Sequence, residues 1–192
     1  ETTFAPNPET GVLHLDVAIM PRPPEMGAVL GDAIHNLRAA LDLMAVDLIR
    51  YAEENTKSVY FPFAETEDDL ELMIKKRNFH RAPSPALDLL RSLRPYKGGT
   101  SALRAIHDLD IDDKHKMLIP HAVMVTTPPL RVVGSLAEGT IEVVMDEGEA
   151  PTIELRFPKD SELADEPLIP KLHELVGLVI EIVDSFEAVI AK

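Results

Sequence analysis

A chain of 192 residues, 45% of them hydrophobic, has the size and composition of one globular domain with a sizeable core. Its net charge of −14 argues against a general binder of nucleic acids or anionic membranes, and the absence of cysteine excludes disulfides and thiolate metal sites. No apolar run approaches the roughly 18 residues that a membrane span needs, and the first residues show no signal-peptide pattern, so a cytoplasmic protein is expected.

The first part of the chain predicts one strand followed by helices. Residues 1–9 are rich in proline and threonine and are expected to be irregular, whereas residues 12–19 alternate apolar and polar positions as a half-buried strand does. Apolar residues at spacings of three and four predict a long helix over about residues 25–54. Three shorter helices follow, with start signals at Thr66, Ser84-Pro85 and Thr100 or Ser101.

From Arg131 the pattern changes to that of strands. Three strand patterns begin at Arg131, Thr140 and Thr152. Turn candidates lie between them, at residues 138–139 and 146–148. A last helix with a wide apolar stripe is predicted over about residues 171–190.

The grouping of these elements indicates the fold class. Strands and helices are grouped rather than alternating, so the sequence predicts a single α+β domain over residues 1–192. Residues 22–120 are expected to form a helical bundle that includes the last helix. A small, mostly antiparallel sheet is expected beside it, built from residues 121–160 and the N-terminal strand 12–19.

Polar side chains cluster on one face of the long helix. His35, Arg38 and Asp42 lie at i, i+3 and i+7 and therefore share a face. An imidazole, a guanidinium and a carboxylate in such a row can order one another by charge-assisted hydrogen bonds. Two interpretations remain open: a functional site, or a buried polar network that fixes the packing of the helix.

A second polar segment, residues 107–116, is dense in acids, histidines and lysines. Its His107-Asp108 dipeptide resembles the motif of HD-type metal phosphohydrolases, although those domains are essentially all helical and strands are predicted here. Another interpretation brings Asp113 and His115 against the His35 face as one composite pocket. A solvated loop with ordinary helix-cap aspartates is the third.

Together the two segments resemble a family of uncharacterised bacterial and phage proteins. In that family a GDxxHNLRSALDH helix precedes a DKHR motif, here residues 31–43 and 113–116, with FP and QPY-like elements between them, here residues 61–63 and 94–96. The likeness covers about residues 22–120. The chain departs from the pattern at Ala39 (usually Ser), Leu43 (usually His), Arg94 (usually Gln) and Lys116 (usually Arg). The resemblance assigns no reaction but implies one polar cluster, made of His35, Arg38, Asp42, Asp113 and His115.

Three functions are compatible with these patterns. A binding or structural domain fits the absence of a glycine-rich phosphate loop, a nucleophile elbow and a paired-histidine zinc motif. A metal-independent RNase resembling HEPN proteins would use His35 for proton transfer and Arg38 to stabilise the phosphate, although those proteins place the arginine first, four to six residues away. A metal-dependent hydrolase would bind a divalent metal, with candidate ligands His35, His107, Asp113 and His115. No other cofactor is expected.

The basic residues are concentrated in one segment. Residues 75–116 carry ten basic and five acidic residues, a net charge of +5, which leaves −19 for the rest of the chain. This asymmetry indicates either an anionic ligand near the segment or an internal match between basic and acidic surfaces. The stripe of the last helix allows a homodimer, and burial in the chain's own core explains it equally well.

Overall fold

The structure of the chain is a computed structural model. It describes the backbone of residues 2–6, 13–17, 25–115, 121–126, 130–135, 140–145 and 152–191, and the side chains of residues 25–115 and 154–191.

Helices dominate the described part of the chain. They are α1 (Glu25–Tyr51), α2 (Leu70–Lys76), α3 (Ser84–Leu93), α4 (Ser101–His115) and α5 (Leu168–Ile190). The long helix α1 packs against both α4 and α5, and α3 packs against α5. The helical part of the predicted fold is therefore confirmed. Within the described residues, none of these helices has the length and apolar character that a membrane crossing requires.

Three helix boundaries differ from the sequence prediction for local reasons. The helix α1 ends at Tyr51 because Glu53 takes a positive φ of 56°, which does not continue a right-handed helix. Before α2, the Thr66 hydroxyl donates to the Asp69 carboxylate at 2.7 Å, so these residues form a turn and the helix begins only afterwards. The helix α5 begins at Leu168, ahead of Pro170, rather than at about residue 171. Proline is tolerated there because backbone N–H groups in the first turn of a helix make no hydrogen bond within the helix, so the N–H that proline lacks is not needed.

The strands pair two by two rather than in one sheet. They are β1 (Thr2–Pro6), β2 (Leu13–Val17), β3 (His121–Thr126), β4 (Leu130–Ser135), β5 (Thr140–Met145) and β6 (Thr152–Arg156). All pairs are antiparallel: β1 with β2, β3 with β6, and β4 with β5.

Several strand predictions are therefore corrected. A sheet that joins the N-terminal strand to the C-terminal ones is not found among the described strands: β2 pairs with β1 and with no other described strand. The strand β1 lies in a segment expected to be irregular, and pairing with its neighbour gives its backbone groups hydrogen-bond partners. The strand β3 lies where no strand is predicted. The turn candidates at residues 138–139 and 146–148 lie outside the described residues.

An extended segment between α1 and α2 crosses the centre of the core. Its side chains Val59, Phe61 and Phe63 are buried. The ring centroid of Phe61 lies 5.0 Å from that of Phe63 and 6.3 Å from that of Phe79, which belongs to a 3₁₀ turn after α2. Phe79 in turn packs edge to face on Phe186 of α5, with 6.2 Å between centroids. This row of rings connects the extended segment to the last helix.

The helix α5 buries one apolar stripe and exposes another. The buried stripe faces the core and consists of Leu175, Val179, Ile182 and Phe186. Further apolar side chains on the same helix are exposed, namely Ile169, Val176 and Ile180. The helix α5 thus has more apolar side chains than the described core buries. A homodimer through α5 stays a prediction.

We expect Phe79→Ala to lower the free energy of unfolding by about 3–5 kcal/mol, because the removed ring is fully buried between two other rings. Leu72→Ala is the control, since Leu72 is 51% exposed, and its effect should stay below about 1 kcal/mol. Urea denaturation measures both. Equal effects of the two substitutions would contradict the described core.

Candidate functional site

The polar residues of α1 and α4 meet where the two helices pack. His35 contacts Asp110, and Gly31, further towards the start of α1, lies against Asp113, further towards the end of α4. The two helices therefore run antiparallel, and the motif of α1 lies along the described part of the second polar segment. We call this line of residues the polar seam. Its members are Gly31, His35, Arg38 and Asp42 of α1 and His107, Asp110 and Asp113 of α4.

Within the polar seam, Arg38 and Asp42 bind the backbone of Phe61. The guanidinium of Arg38 donates to the Phe61 carbonyl oxygen at 3.3 Å, and the Phe61 N–H donates to the Asp42 carboxylate at 2.7 Å. The two side chains also form an ion pair, with 2.5 Å between Nη1 and Oδ1. Arg38 lies over the Phe63 ring, 4.7 Å from its centroid, and is only 7% exposed. We call this arrangement the Arg38 clamp; its two side chains are engaged by the scaffold.

His107 lies in the middle of the polar seam as a neutral imidazole. Its ring stacks on Phe63, with 4.6 Å between centroids and 5° between planes. Burial lowers the pKa of His107 to about 4, helped by the positive charges of Arg38 and Arg104. Its Nδ1 is buried and finds no hydrogen-bond partner among the described residues. At neutral pH the imidazole therefore packs as an uncharged ring.

His35 is a largely exposed member of the polar seam. Its Nδ1 lies 2.8 Å from one oxygen of Asp110, and the other oxygen accepts from Lys114 at 2.6 Å. The Asp110 side chain is 6% exposed and that of His35 is 57% exposed. Burial raises the pKa of Asp110, but hydrogen bonds from Lys114 and His35 outweigh it and hold the pKa below its ordinary value. A buried carboxylate thus orients a largely exposed imidazole.

The seam contains four of the five residues predicted as one cluster. Asp113 lies so close to α1 that a Cβ atom on Gly31 would be 2.3 Å from its Oδ2. The fifth residue, His115, is exposed at the end of α4. Asp110 is absent from the predicted cluster, although its position three residues after His107 and four before Lys114 places all three on one helix face.

The proposed metal ligands do not converge. Among the side chains of residues 25–115 and 154–191, no group of three or more histidines and carboxylates is placed to share an ion. His107 and Asp108 also have separate partners, because Asp108 accepts two hydrogen bonds from Arg104, at 2.6 and 2.9 Å. The dipeptide therefore does not present the paired ligands that an HD-type site would need.

Arg104 of α4 makes a second attachment to the extended segment. Its guanidinium donates to the Ala64 carbonyl oxygen at 2.5 Å and to the carboxylates of Glu65 and Asp108, each at 2.6 Å. Burial lowers the pKa of Arg104, but these carboxylates more than compensate and the pKa is raised. We call this arrangement the Arg104 clamp. It fixes the segment three residues beyond the point that the Arg38 clamp holds.

A cavity of about 410 Å³ lies beside the Arg104 clamp. One wall comes from the turn before α4 and from the first turn of that helix, and it includes Lys97, Ser101 and Arg104. The other wall comes from residues 162–166 and from the first two turns of α5. Charged side chains line both walls, so this cavity is a second candidate site outside the predicted cluster.

We expect the stability of the protein to fall as the pH is lowered from about 6.5 to about 4. In this range the unfolded chain binds a proton on His107 and the folded protein does not, because its pKa is about 4. The loss from this group amounts to at most about 3 kcal/mol. Urea denaturation at several pH values gives the unfolding free energy as a function of pH. His107→Phe should remove this part of the pH dependence, whereas His173→Phe, at an exposed position of α5, should keep it. An unchanged slope in His107→Phe would refute the explanation.

Comparison of the chain with family models, curated proteins and solved structures finds no match. The likeness to the bacterial and phage family therefore stays a prediction that rests on the sequence motifs of residues 31–43, 61–63, 94–96 and 113–116. Function has to be inferred from the contacts within the polar seam and from the cavity beside the Arg104 clamp.

Proposed function

We propose that the protein is a binding domain in which the polar residues of α1 hold the scaffold together. The observation that carries this proposal is the Arg38 clamp, in which Arg38 and Asp42 bind the two backbone groups of Phe61. If these side chains turned towards a substrate, they would break the Arg38–Asp42 ion pair. They would also leave the buried N–H and carbonyl oxygen of Phe61 without hydrogen-bond partners. The charged cavity beside the Arg104 clamp supplies the space for a ligand.

The same geometry weighs against a HEPN-like nuclease that uses Arg38. In such an enzyme the arginine must reach the phosphate, yet here it is 7% exposed and paired with Asp42. The negative net charge of the chain also opposes RNA binding. For the bacterial and phage family that the motifs resemble, we propose the same structural role for the arginine and aspartate of the helix motif.

We expect Asp42→Ala to cost about 2–4 kcal/mol of unfolding free energy, because it leaves the buried Arg38 cation and the Phe61 N–H without their partner. The matched control is Asp47→Ala on the same helix, where Asp47 pairs with Arg50 but both side chains are about two-thirds exposed. That change should cost no more than about 0.5 kcal/mol. Chemical denaturation measures the unfolding free energy of both variants. If Asp42→Ala is as stable as the wild type, the structural role of Asp42 is excluded.

A second candidate function is acid–base chemistry at His35. It is favoured by one observation, the hydrogen bond between the exposed imidazole and the buried Asp110 carboxylate. Such a carboxylate fixes the tautomer of the ring, so that the other nitrogen can accept or give a proton. Lys114 binds the other oxygen of the same carboxylate, and this cation would take the place of Arg38 in stabilising a phosphate.

Incubation with structured RNA in the presence of EDTA tests this second candidate. If His35 is catalytic, His35→Ala should reduce the cleavage rate at least about 100-fold. His115→Ala, which changes an exposed histidine of α4 outside the seam, should leave the rate unchanged. Failure of the wild-type protein to cleave RNA, or cleavage that survives His35→Ala, would remove His35 as the acid–base residue of an RNA-cleaving site.

A further inference from the structure

The side chains that line the two walls of the cavity carry net charges of opposite sign. On the α4 side the lining cations are Lys97 and Arg104. On the α5 side three carboxylates and one cation line the cavity, namely Glu162, Glu166, Glu174 and Lys171. The lining side chains as a whole are balanced in charge, but the charges are separated between the walls.

The first wall is held rigidly. In the turn before α4, Gly98 has a φ of 84°, and a Cβ on Gly99 would lie 2.1 Å from the Arg94 carbonyl oxygen, so both positions require glycine. The Arg104 guanidinium is already bound by the Arg104 clamp. Lys97 has an exposed ion pair with Glu65, at 3.0 Å, and is the cation on this wall that can turn towards a ligand.

The second wall is also anchored. Phe157 is fully buried, and its N–H donates to the Glu166 carbonyl oxygen at 3.0 Å, which closes the segment that carries Glu162 and Glu166. Lys171 pairs with Glu174 at 2.7 Å and lies 3.9 Å from Glu166. Glu166 therefore has only a long ion pair with Lys171, and Glu162 has no ion pair among the contacts described for this wall.

We propose that this cavity binds a small zwitterion of the amino-acid type, with its carboxylate towards Lys97 and its ammonium group towards Glu162 and Glu166. The inference rests on the proposed binding function and adds the location and the ligand class. A simple anion would meet the carboxylates of the α5 wall, and a simple cation would meet Lys97 and Lys171. A molecule with both charges matches both walls at once.

The size of the cavity agrees with such a ligand. Its volume of about 410 Å³ falls in the usual range of small-molecule sites. A zwitterion has to reach from one wall to the other, so affinity should depend on the number of methylene groups between its charges. This dependence distinguishes a ligand that bridges the walls from nonspecific association of an amine with a protein of net charge −14.

The experiment is calorimetric titration of the whole chain with glycine, 4-aminobutyrate and 6-aminohexanoate at constant ionic strength. Butyrate and butylamine are the single-charge controls. We expect one zwitterion to bind at least about tenfold more tightly than either control. Lys97→Gln and Glu166→Gln should each weaken that binding about tenfold, whereas Lys57→Gln and Glu53→Gln, which lie outside the cavity lining, should not change it.

The outcomes separate the two proposals. If no zwitterion binds more tightly than the single-charge controls, or if the control variants weaken binding as much as the cavity variants, the zwitterion site is refuted. If butyrate or butylamine alone binds and depends on Lys97 or Glu166, the binding function stands and the ligand class is wrong. If none of the five compounds binds, the cavity assignment fails, while the scaffold role of Asp42 is decided separately by denaturation.

Discussion

Two buried guanidinium groups attach one extended segment to two helices, and the centre of the core is arranged around that attachment. Arg38 of α1 binds the carbonyl oxygen of Phe61, and Arg104 of α4 binds that of Ala64. In each case an aspartate four residues later on the same helix, Asp42 or Asp108, pairs with the arginine. In both cases a carboxylate neutralises the guanidinium and a backbone carbonyl oxygen accepts one of its hydrogen bonds. These two interactions offset the cost of burying the charge.

The attachment also explains why polar and aromatic side chains are interleaved. Residues 61–64 are buried, so their backbone groups need partners that water cannot supply. The arginine and aspartate side chains provide partners for both groups of Phe61 and for the Ala64 carbonyl oxygen, and the Ala64 N–H donates to the Pro95 carbonyl oxygen. Both Arg38 and His107 lie against the Phe63 ring. An uncharged histidine suits this position because the positive charges of Arg38 and Arg104 would repel a protonated one.

The sequence predicts the parts of this structure that depend on local periodicity. Apolar spacing gives the helices of the bundle, and the i, i+3, i+7 row identifies His35, Arg38 and Asp42 as one face. It does not reveal that the partner of Arg38 is a carbonyl oxygen, since every residue has one, nor that His35 meets Asp110, 75 residues away. Strand pairing is missed for the same reason: the choice between neighbouring and distant strands depends on contacts that no short pattern encodes.

The contact between Gly31 and Asp113 has a consequence for the geometry of the whole helix pair. With a carboxylate resting on bare backbone, the distance between the axes of α1 and α4 at this end is set by the absence of a side chain. His35 and Asp110 meet one turn further along the two helices. The length of their hydrogen bond therefore depends on the distance between the helix axes. Glycine at position 31 thus influences the His35–Asp110 contact through the separation of the helices, without touching either residue.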